Sequence, residues 1–146
     1  MQSITHGSFT IERTFTAPVA RVFAAFADQD AKERWFKGPN DVASKHTMDF
    51  SVGGQETNSS TFHGTKHRFE ATYYDIVPDS RIVYAYEMYS GDDRISVSLA
   101  TITFTEVNGN TMLTLHEDGA FLDGLDRPEQ REAGTRGLLD ALAASL

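Results

Sequence analysis

The sequence contains no cysteine, which excludes disulfide bonds and thiolate chemistry and is typical of a reducing compartment. It has no apolar run long enough to cross a membrane, and its first eight residues, MQSITHGS, do not have the pattern of a signal peptide. Basic residues are scarce, since 13 Lys and Arg stand against 21 Asp and Glu for a formal net charge of −8. Nucleic acids and anionic membranes usually bind through a basic patch. We therefore expect a cytoplasmic protein with neither of these partners.

What the sequence does contain is typical of a globular protein. Its 146 residues suit one domain, residues 1–146, and its 40% hydrophobic and 23% charged fractions are ordinary for a folded chain. Ten Phe and five Tyr predict an aromatic interior. Apolar and polar residues alternate over residues 9–15, which predicts a half-buried first strand.

A helix is predicted directly after this strand. Thr16 is expected to cap it, with Pro18 in its first turn. Four apolar residues then fall on one helical face: Val19, Val22, Phe23 and Phe26.

A second, short helix is predicted around the segment ERWFKGP, residues 33–39. Asp30 with Glu33 three residues later has the pattern of a capping box. We expect this helix to carry two large aromatic side chains and to end at a glycine and a proline. These are Trp35, Phe36, Gly38 and Pro39. Because neighbouring residues on a helix point about 100° apart, we expect Trp35 to pack beneath the helix and Phe36 to close the mouth of a pocket.

The rest of the chain reads as strands followed by one long helix. Turn residues separate six strand candidates: Lys45–Val52, Gln55–Phe62, Phe69–Val77, Arg81–Met88, Ser96–Glu106 and Thr111–Asp118. Asp126 is expected to cap a final helix that runs to about Ala144. A long helix and an antiparallel sheet must each bury an apolar face. We therefore predict an α+β fold in which a curved sheet of six to seven strands wraps around the C-terminal helix, with the short helices closing one end.

The interior of that final helix contains Gly134 and Gly137, each of which costs about 1 kcal/mol relative to alanine. Their spacing of three residues puts them on one face of the helix. Two explanations are open at this point. The helix backbone approaches the sheet closely, or the small face leaves room for a cavity.

Several local motifs, in this order along the chain, resemble those of one known family. They are Arg34-Trp35-Phe36 with Gly38-Pro39, Val52-Gly53-Gly54, the segment FEATYYDIVP at 69–78, Arg81-Ile82-Val83-Tyr84, Thr101-Ile102-Thr103-Phe104, Thr111-Met112-Leu113-Thr114-Leu115, and residues 134–146. The sequence resembles the START-like (SRPBCC) superfamily, in the branch named after the activator of the heat-shock chaperone ATPase. The resemblance covers nearly the whole chain and implies a helix-grip fold.

The resemblance implies function less closely than fold. Superfamily members include binders of lipids and hormones, aromatic polyketide cyclases and co-chaperone domains. The co-chaperone itself carries a further N-terminal domain that this sequence does not contain, so chaperone activation is not implied. Many relatives carry a tryptophan after the second helical glycine, where this chain has Leu138.

A pocket between sheet and final helix is predicted from the inward faces of the strands. Apolar walls with a few hydroxyl groups are typical of a small-molecule site, although the same faces would also suit a filled core. With the helix and mouth residues included, the predicted ligand-binding set is Trp35, Phe36, Phe62, Tyr84, Tyr86, Met88, Ile102, Phe104, Leu115, Gly134, Gly137 and Leu138. We expect Tyr84 and Tyr86 to supply polar contacts.

No motif of an established catalytic class is found. Glu117 is the single candidate, because alternation places it on the face of Leu113 and Leu115 and burial would raise its pKa. A solvated strand end is the alternative for this residue. His63 and His67 are four residues apart but flank Gly64 in a predicted loop, so we predict no metal and no cofactor.

These observations lead to three functional hypotheses. The preferred one is a protein that binds a small apolar or aromatic ligand in the cavity. The second is a protein-interaction module that assists the chaperone ATPase, and the third is a cyclase or hydrolase that uses Glu117 and the tyrosines. A homodimer formed through an exposed edge strand is a further partner that the sequence allows.

Overall fold

The computed structural model describes residues 2–37 and 42–146. The elements in chain order are β1 (Ile4–Phe15), α1 (Val19–Ala27), α2 (Gln29–Glu33), β2 (Val42–Met48), β3 (Gln55–Phe62), β4 (Thr65–Val77), β5 (Arg81–Ser90), β6 (Asp93–Val107), β7 (Asn110–Leu122) and α3 (Pro128–Ser145). Within these described ranges, no helix is long and apolar enough to cross a membrane.

All seven strands belong to one antiparallel sheet with the order β1-β7-β6-β5-β4-β3-β2. Strands β2 to β7 follow one another across the sheet because short turns connect antiparallel neighbours. The first strand lies beside the last, with pairs such as Ile11 and Leu115. Register shifts interrupt the β4–β5 and β5–β6 pairings, and such bulges bend and twist a sheet. The curved sheet, the long last helix and the two short helices after β1 confirm the predicted α+β helix-grip architecture.

The main core lies between α1, the inner face of the sheet and the C-terminal half of α3. The rings of Phe23 and Phe26 on α1 meet Phe104 on β6 edge to face, at centroid distances of 5.2 and 5.6 Å. Leu139 and Leu142 are the fully buried side chains of α3. The helix therefore packs on this core near its C-terminus, while its N-terminal half lies beyond the main core.

The starts of α1 and α2 differ from the predictions. Thr16 does not cap α1, because Pro18 is held extended at φ −62° and ψ 151° and the helix begins after it. Similarly, α2 begins after Asp28, so Asp30 lies within its first turn rather than at its cap. This helix ends at Glu33, and the two aromatic residues that follow lie in a turn instead of on the helix. The predicted stop at Gly38 and Pro39 lies outside the described residues.

The start of α3 and several strand bounds also differ from the predictions. Arg127, rather than Asp126, precedes the first residue of α3. The Asp126 carboxylate is instead bound to Arg131 at 2.7 Å and to the backbone N–H of Arg127 at 2.8 Å. Strand β2 ends at Met48, because the chain turns over the following residues towards Gly53 at φ +86°. Strand β7 continues to Leu122, four residues past the predicted end.

The attachment of α3 at its C-terminal half leads to a stability prediction. Leu142→Ala should lower the free energy of unfolding by about 2–5 kcal/mol, because the side chain is fully buried against the core. Urea unfolding followed by the fluorescence of Trp35, the one tryptophan, measures this change. Arg136→Ala, an exposed change on the same helix, should alter stability by less than about 0.5 kcal/mol. Equal losses in the two variants would contradict the proposed docking of the helix.

Candidate functional site

A cavity of about 760 Å³ lies between the sheet and α3. Aromatic side chains from the turn after α2 and from strands β3, β4 and β5 form much of its wall: Trp35, Phe36, Phe62, Phe69, Tyr84 and Tyr86. The volume falls within the range of about 300–1,000 Å³ that is usual for small-molecule sites. The interior is therefore not a completely filled core.

Most of the residues proposed from sequence line this cavity. Besides the aromatic side chains just named, of which Phe69 was not proposed, these are Met88, Leu115, Gly134, Gly137 and Leu138. Two proposed residues do not line it, namely Ile102 and Phe104, which are buried in the main core. Both lie further along β6, where the side chains of α1 fill the space above the sheet.

The two glycines of α3 face open space. A Cβ atom built at Gly134 or at Gly137 would meet no atom within 4 Å outside the helix's own nearby backbone. Close approach of helix to sheet therefore does not explain these glycines. Since both residues line the cavity, their missing side chains enlarge it.

The adjacent aromatic residues Trp35 and Phe36 differ in their surroundings. Trp35 is 3% exposed, and its indole N–H donates to the carbonyl of Ala25 at 3.0 Å. Phe36 is half-buried, and its ring packs edge to face on Phe69 at a centroid distance of 5.0 Å. Trp35 is thus tied to α1, whereas Phe36 lies across the cavity wall near β4. Their roles as anchor and lid stay predictions.

A buried polar cluster lies at the end of the cavity below α3. Tyr86 on β5 donates its hydroxyl proton to Oε2 of Glu117 on β7 at 2.7 Å. Arg131 of α3 donates to the Tyr86 hydroxyl at 3.0 Å, to Ser96 at 2.8 Å and to Asp126 at 2.7 Å. The guanidinium therefore joins α3 to two strands of the sheet.

Glu117 is not a solvated strand end, because β7 continues past it and the residue is 3% exposed. Burial raises the pKa of its carboxyl group, and the hydrogen bond from Tyr86 and the charge of Arg131 oppose this rise only in part. The opposition is incomplete because Arg131 Nη1 stays 3.9 Å from Glu117 while Nη2 pairs with Asp126 at 2.7 Å. The result is a buried carboxyl group that faces the cavity.

The two tyrosines proposed as polar contacts have different hydrogen bonding. The Tyr86 hydroxyl is occupied by Glu117 and Arg131. The ring of Tyr84 lines the cavity, and within residues 2–37 and 42–146 no side chain or backbone group hydrogen-bonds its hydroxyl. Burial raises the pKa of both phenols, so each remains a neutral hydroxyl.

A second buried cluster lies where α2 meets β2, β3 and β4. Glu56, 1% exposed, accepts hydrogen bonds from Lys32 at 2.7 Å and from the Tyr73 hydroxyl, and pairs with His46 at 2.8 Å. Burial favours the neutral acid, but the charge of Lys32 and these hydrogen bonds outweigh it and lower the pKa of Glu56 to about 2. The hydrogen bond with Glu56 raises the pKa of His46.

This second cluster holds one residue of the cavity wall, Phe36. The Lys32 ammonium lies 4.4 Å from the centroid of the Phe36 ring, a cation–π contact. Asn58 on β3 donates to the carbonyl of Phe36 at 3.3 Å. Phe36 is thus held by α2 on one side and by β3 on the other.

Sequence reasoning missed most of these polar residues, although it held signals for some. Arg131 lies three residues before Gly134 and therefore on the face of α3 that the glycines share. The strand that contains Glu56 has polar residues at its inward positions as far as Phe62, and this polar inner face is visible in the sequence. No comparable sequence signal placed Lys32 beside Glu56, because the pair depends on how α2 docks against β3.

The histidines considered as metal ligands are not gathered into a metal site. His63 lies in the turn between β3 and β4 and His67 lies on β4, while His46 pairs with Glu56 and Glu33. Among the residues that the structure describes, no group of three or more His, Cys, Asp and Glu side chains has the arrangement of a metal site.

Comparison with known families gives a match over most of the chain. The sequence model of the family described as "Activator of Hsp90 ATPase homolog 1-like protein" matches residues 16–146. No curated protein matches the sequence.

Solved structures of similar proteins share the fold along nearly their whole length. An uncharacterized protein from Rhizobium leguminosarum is 40% identical, with a TM-score of 0.94 over 99% of this chain and 97% of that one. A protein from Rhizobium loti is 45% identical, with a TM-score of 0.91 over 99% of each chain. A protein from Chromobacterium violaceum is 28% identical, with a TM-score of 0.80 over 94% of each chain.

The buried Glu56 cluster leads to a pH-dependent stability prediction. At pH 7, Glu56→Gln should lower the free energy of unfolding by about 3–5 kcal/mol, because it leaves Lys32 buried without a counter-charge. In the native protein, the ionised carboxylate stabilises the fold above its ordinary pKa of 4.5, and this contribution is lost as the pH falls towards the folded-state value of about 2. The loss amounts to about 3 kcal/mol.

Urea unfolding of both proteins at pH 7, 4.5 and 2.5 tests this. The difference in unfolding free energy between wild type and Glu56→Gln should shrink as the pH falls. Glu33→Gln removes a carboxylate at the exposed end of the same cluster and should have a much smaller effect. A difference between wild type and Glu56→Gln that is independent of pH would contradict the assigned charge state.

Proposed function

This chain belongs to the family of activator of Hsp90 ATPase homolog 1-like proteins, and on that premise we propose that it binds a small, largely apolar ligand in the cavity between its sheet and α3. The observation that carries this proposal is the open space above Gly134 and Gly137. Each glycine costs about 1 kcal/mol of helix stability, and neither is compensated by close packing. A loss of helix stability of this kind is expected where the residues of a helix keep a ligand site open.

The lining of the cavity supports an apolar or aromatic ligand. Aromatic rings from β3, β4, β5 and the turn after α2 surround the space, and Met88 and Leu138 add flexible apolar surface. Polar groups converge at one end, where Tyr86 and Glu117 lie. Apolar walls with a few placed polar groups are the usual composition of small-molecule sites. The absence of cysteine supports a cytoplasmic location for this activity.

Gly137→Leu tests the proposal, because the new side chain should occupy part of the cavity while improving the helix. Wild-type protein should bind Nile red, a neutral dye whose emission rises in apolar surroundings, and its melting temperature should rise with the dye. The variant should melt at a higher temperature without dye, since leucine is better than glycine by about 0.8 kcal/mol in a helix. It should also bind the dye more weakly, because the leucine side chain excludes the dye from the space next to residue 137.

Ala144→Leu provides the matched control, since residue 144 is exposed on the same helix and does not line the cavity. It should bind the dye as wild type does. Undiminished binding in Gly137→Leu, or no binding by wild type, would contradict the proposal.

A further inference from the structure

The polar end of the cavity has an excess of negative charge. Its charged side chains are one cation, Arg131, and two carboxylates, Asp126 and Glu117. The two carboxylates share Arg131 unequally, because its Nη2 atom lies 2.7 Å from Oδ2 of Asp126 while its Nη1 atom lies 3.9 Å from Oε2 of Glu117. Ionised Glu117 is therefore the carboxylate without a close counter-charge, and a buried charge without a partner is unfavourable.

The hydrogen-bond donors around Glu117 are neutral hydroxyl groups. Tyr86 donates to its Oε2 atom at 2.7 Å, and the Ser98 hydroxyl on β6, 2% exposed, also interacts with the carboxyl group. Neither hydroxyl supplies the positive charge that an ionised, buried carboxylate needs. Because Glu117 lines the cavity, a bound molecule can reach it.

Aromatic rings stand around this carboxylate. Tyr86 lies between Phe69 and Tyr84, at ring-centroid distances of 5.0 and 5.9 Å, and all three rings line the cavity. The faces of such rings attract organic cations when water is excluded. The same rings offer apolar surface to the rest of a ligand.

From these three features we infer that the cavity takes a cationic amphiphile, an apolar or aromatic body carrying a protonated amine that donates to the Glu117 carboxylate. This inference rests on the proposed function and specifies the chemistry of the ligand. An ammonium group supplies the missing positive charge and donates a charged hydrogen bond to the carboxylate. A carboxylate in the same place would be repelled by Glu117, and a hydroxyl would supply the donor without the charge.

The other cations of the cavity wall do not compete for Glu117. Lys32 is paired with Glu56 at 2.7 Å, and Arg68 is paired with Glu70. Lys37 is exposed after α2. Since none of these cations is paired with Glu117, an amine is favoured beside that carboxylate.

Isothermal titration calorimetry with three probes of one skeleton tests the inference. The probes are 2-(1-naphthyl)ethylamine, 2-(1-naphthyl)ethanol and 1-naphthylacetate, titrated at pH 7.5. The amine should bind at least about tenfold more tightly than the alcohol, the size expected for a charged hydrogen bond. The acetate should bind most weakly.

Two variants assign the preference to one carboxylate. Glu117→Gln keeps an oxygen that accepts from Tyr86 but removes the charge, so the amine should lose its advantage over the alcohol. Asp118→Asn removes the neighbouring carboxylate on the exposed face of β7 and should keep that advantage. An amine that binds no better than the alcohol in wild type, or a preference that survives in Glu117→Gln, would overturn the inference.

A pH series on wild type provides a second test that does not depend on a variant folding. From pH 8 to 5 the amine probe stays protonated, so any loss of its advantage towards acidic pH reports protonation of Glu117, the pKa of which burial raises. The groups around Glu117 are Tyr84 and Tyr86 from β5, Ser98 from β6, and Arg131 of α3 with its partner Asp126. Asp118 lies on the opposite face of β7, and Phe9 of β1 and Ala100 of β6 pair with Glu117 and carry no charge. An advantage that grows towards pH 5 would contradict the role of Glu117.

The outcomes separate this inference from the proposed function. If Nile red binds wild type and binds Gly137→Leu more weakly while the three naphthyl probes bind alike, the cavity binds ligands but does not select amines. If neither the dye nor any probe binds, both proposals fail.

Discussion

The hydrogen bonds of Arg131 are the interaction on which the arrangement of the site depends. The C-terminal half of α3 is held by burial of Leu139 and Leu142, but the N-terminal half packs on no comparable core. There the guanidinium of Arg131 binds Tyr86 on β5 and Ser96 on β6, and Pro128 at the start of the helix packs against Gly7 of β1. Between this end and the buried leucines, Gly134 and Gly137 leave the helix surface without side chains at these two positions. The space of the cavity lies along this part of the helix.

The opposite side of the cavity is held by a second buried charge. Glu56 gathers Lys32 of α2, His46 of β2 and Tyr73 of β4 around one carboxylate. Each of these groups comes from a different element, so the cluster fixes α2 against the edge of the sheet where few apolar side chains are available. Buried ion pairs are costly to desolvate and contribute less to stability than to geometry. Here the geometry holds Phe36 in the cavity wall.

The sequence predicted the fold more completely than the site, for physical reasons. Alternation along the strands, the stripe of α1 and the turn residues are local patterns, and together they led to the correct element order and sheet. The predicted start of α3 was wrong, because Asp126 is engaged by Arg131 rather than by the backbone of α3. Cavity-lining residues such as Tyr84 and Leu138 could be proposed because the sequence pattern places them on the inward faces of a strand and of the last helix. The pairing of Lys32 with Glu56 could not, since it depends on tertiary docking between residues 24 positions apart.

A shared fold leaves the chemistry of the cavity open, because function depends on the site placed on the fold. In this chain the inner faces of β5, β6 and β7 differ along their length. Near α1 they carry Ile82, Ile102 and Leu113, which fill a core, and towards α3 they carry Tyr86, Ser98 and Glu117. This change from apolar to polar side chains on the strands coincides with the part of α3 whose inner face lacks side chains, at Gly137 and Gly134. Cavity and polar groups therefore coincide along the sheet, as expected if the space is kept for a molecule that has both an apolar body and a polar end.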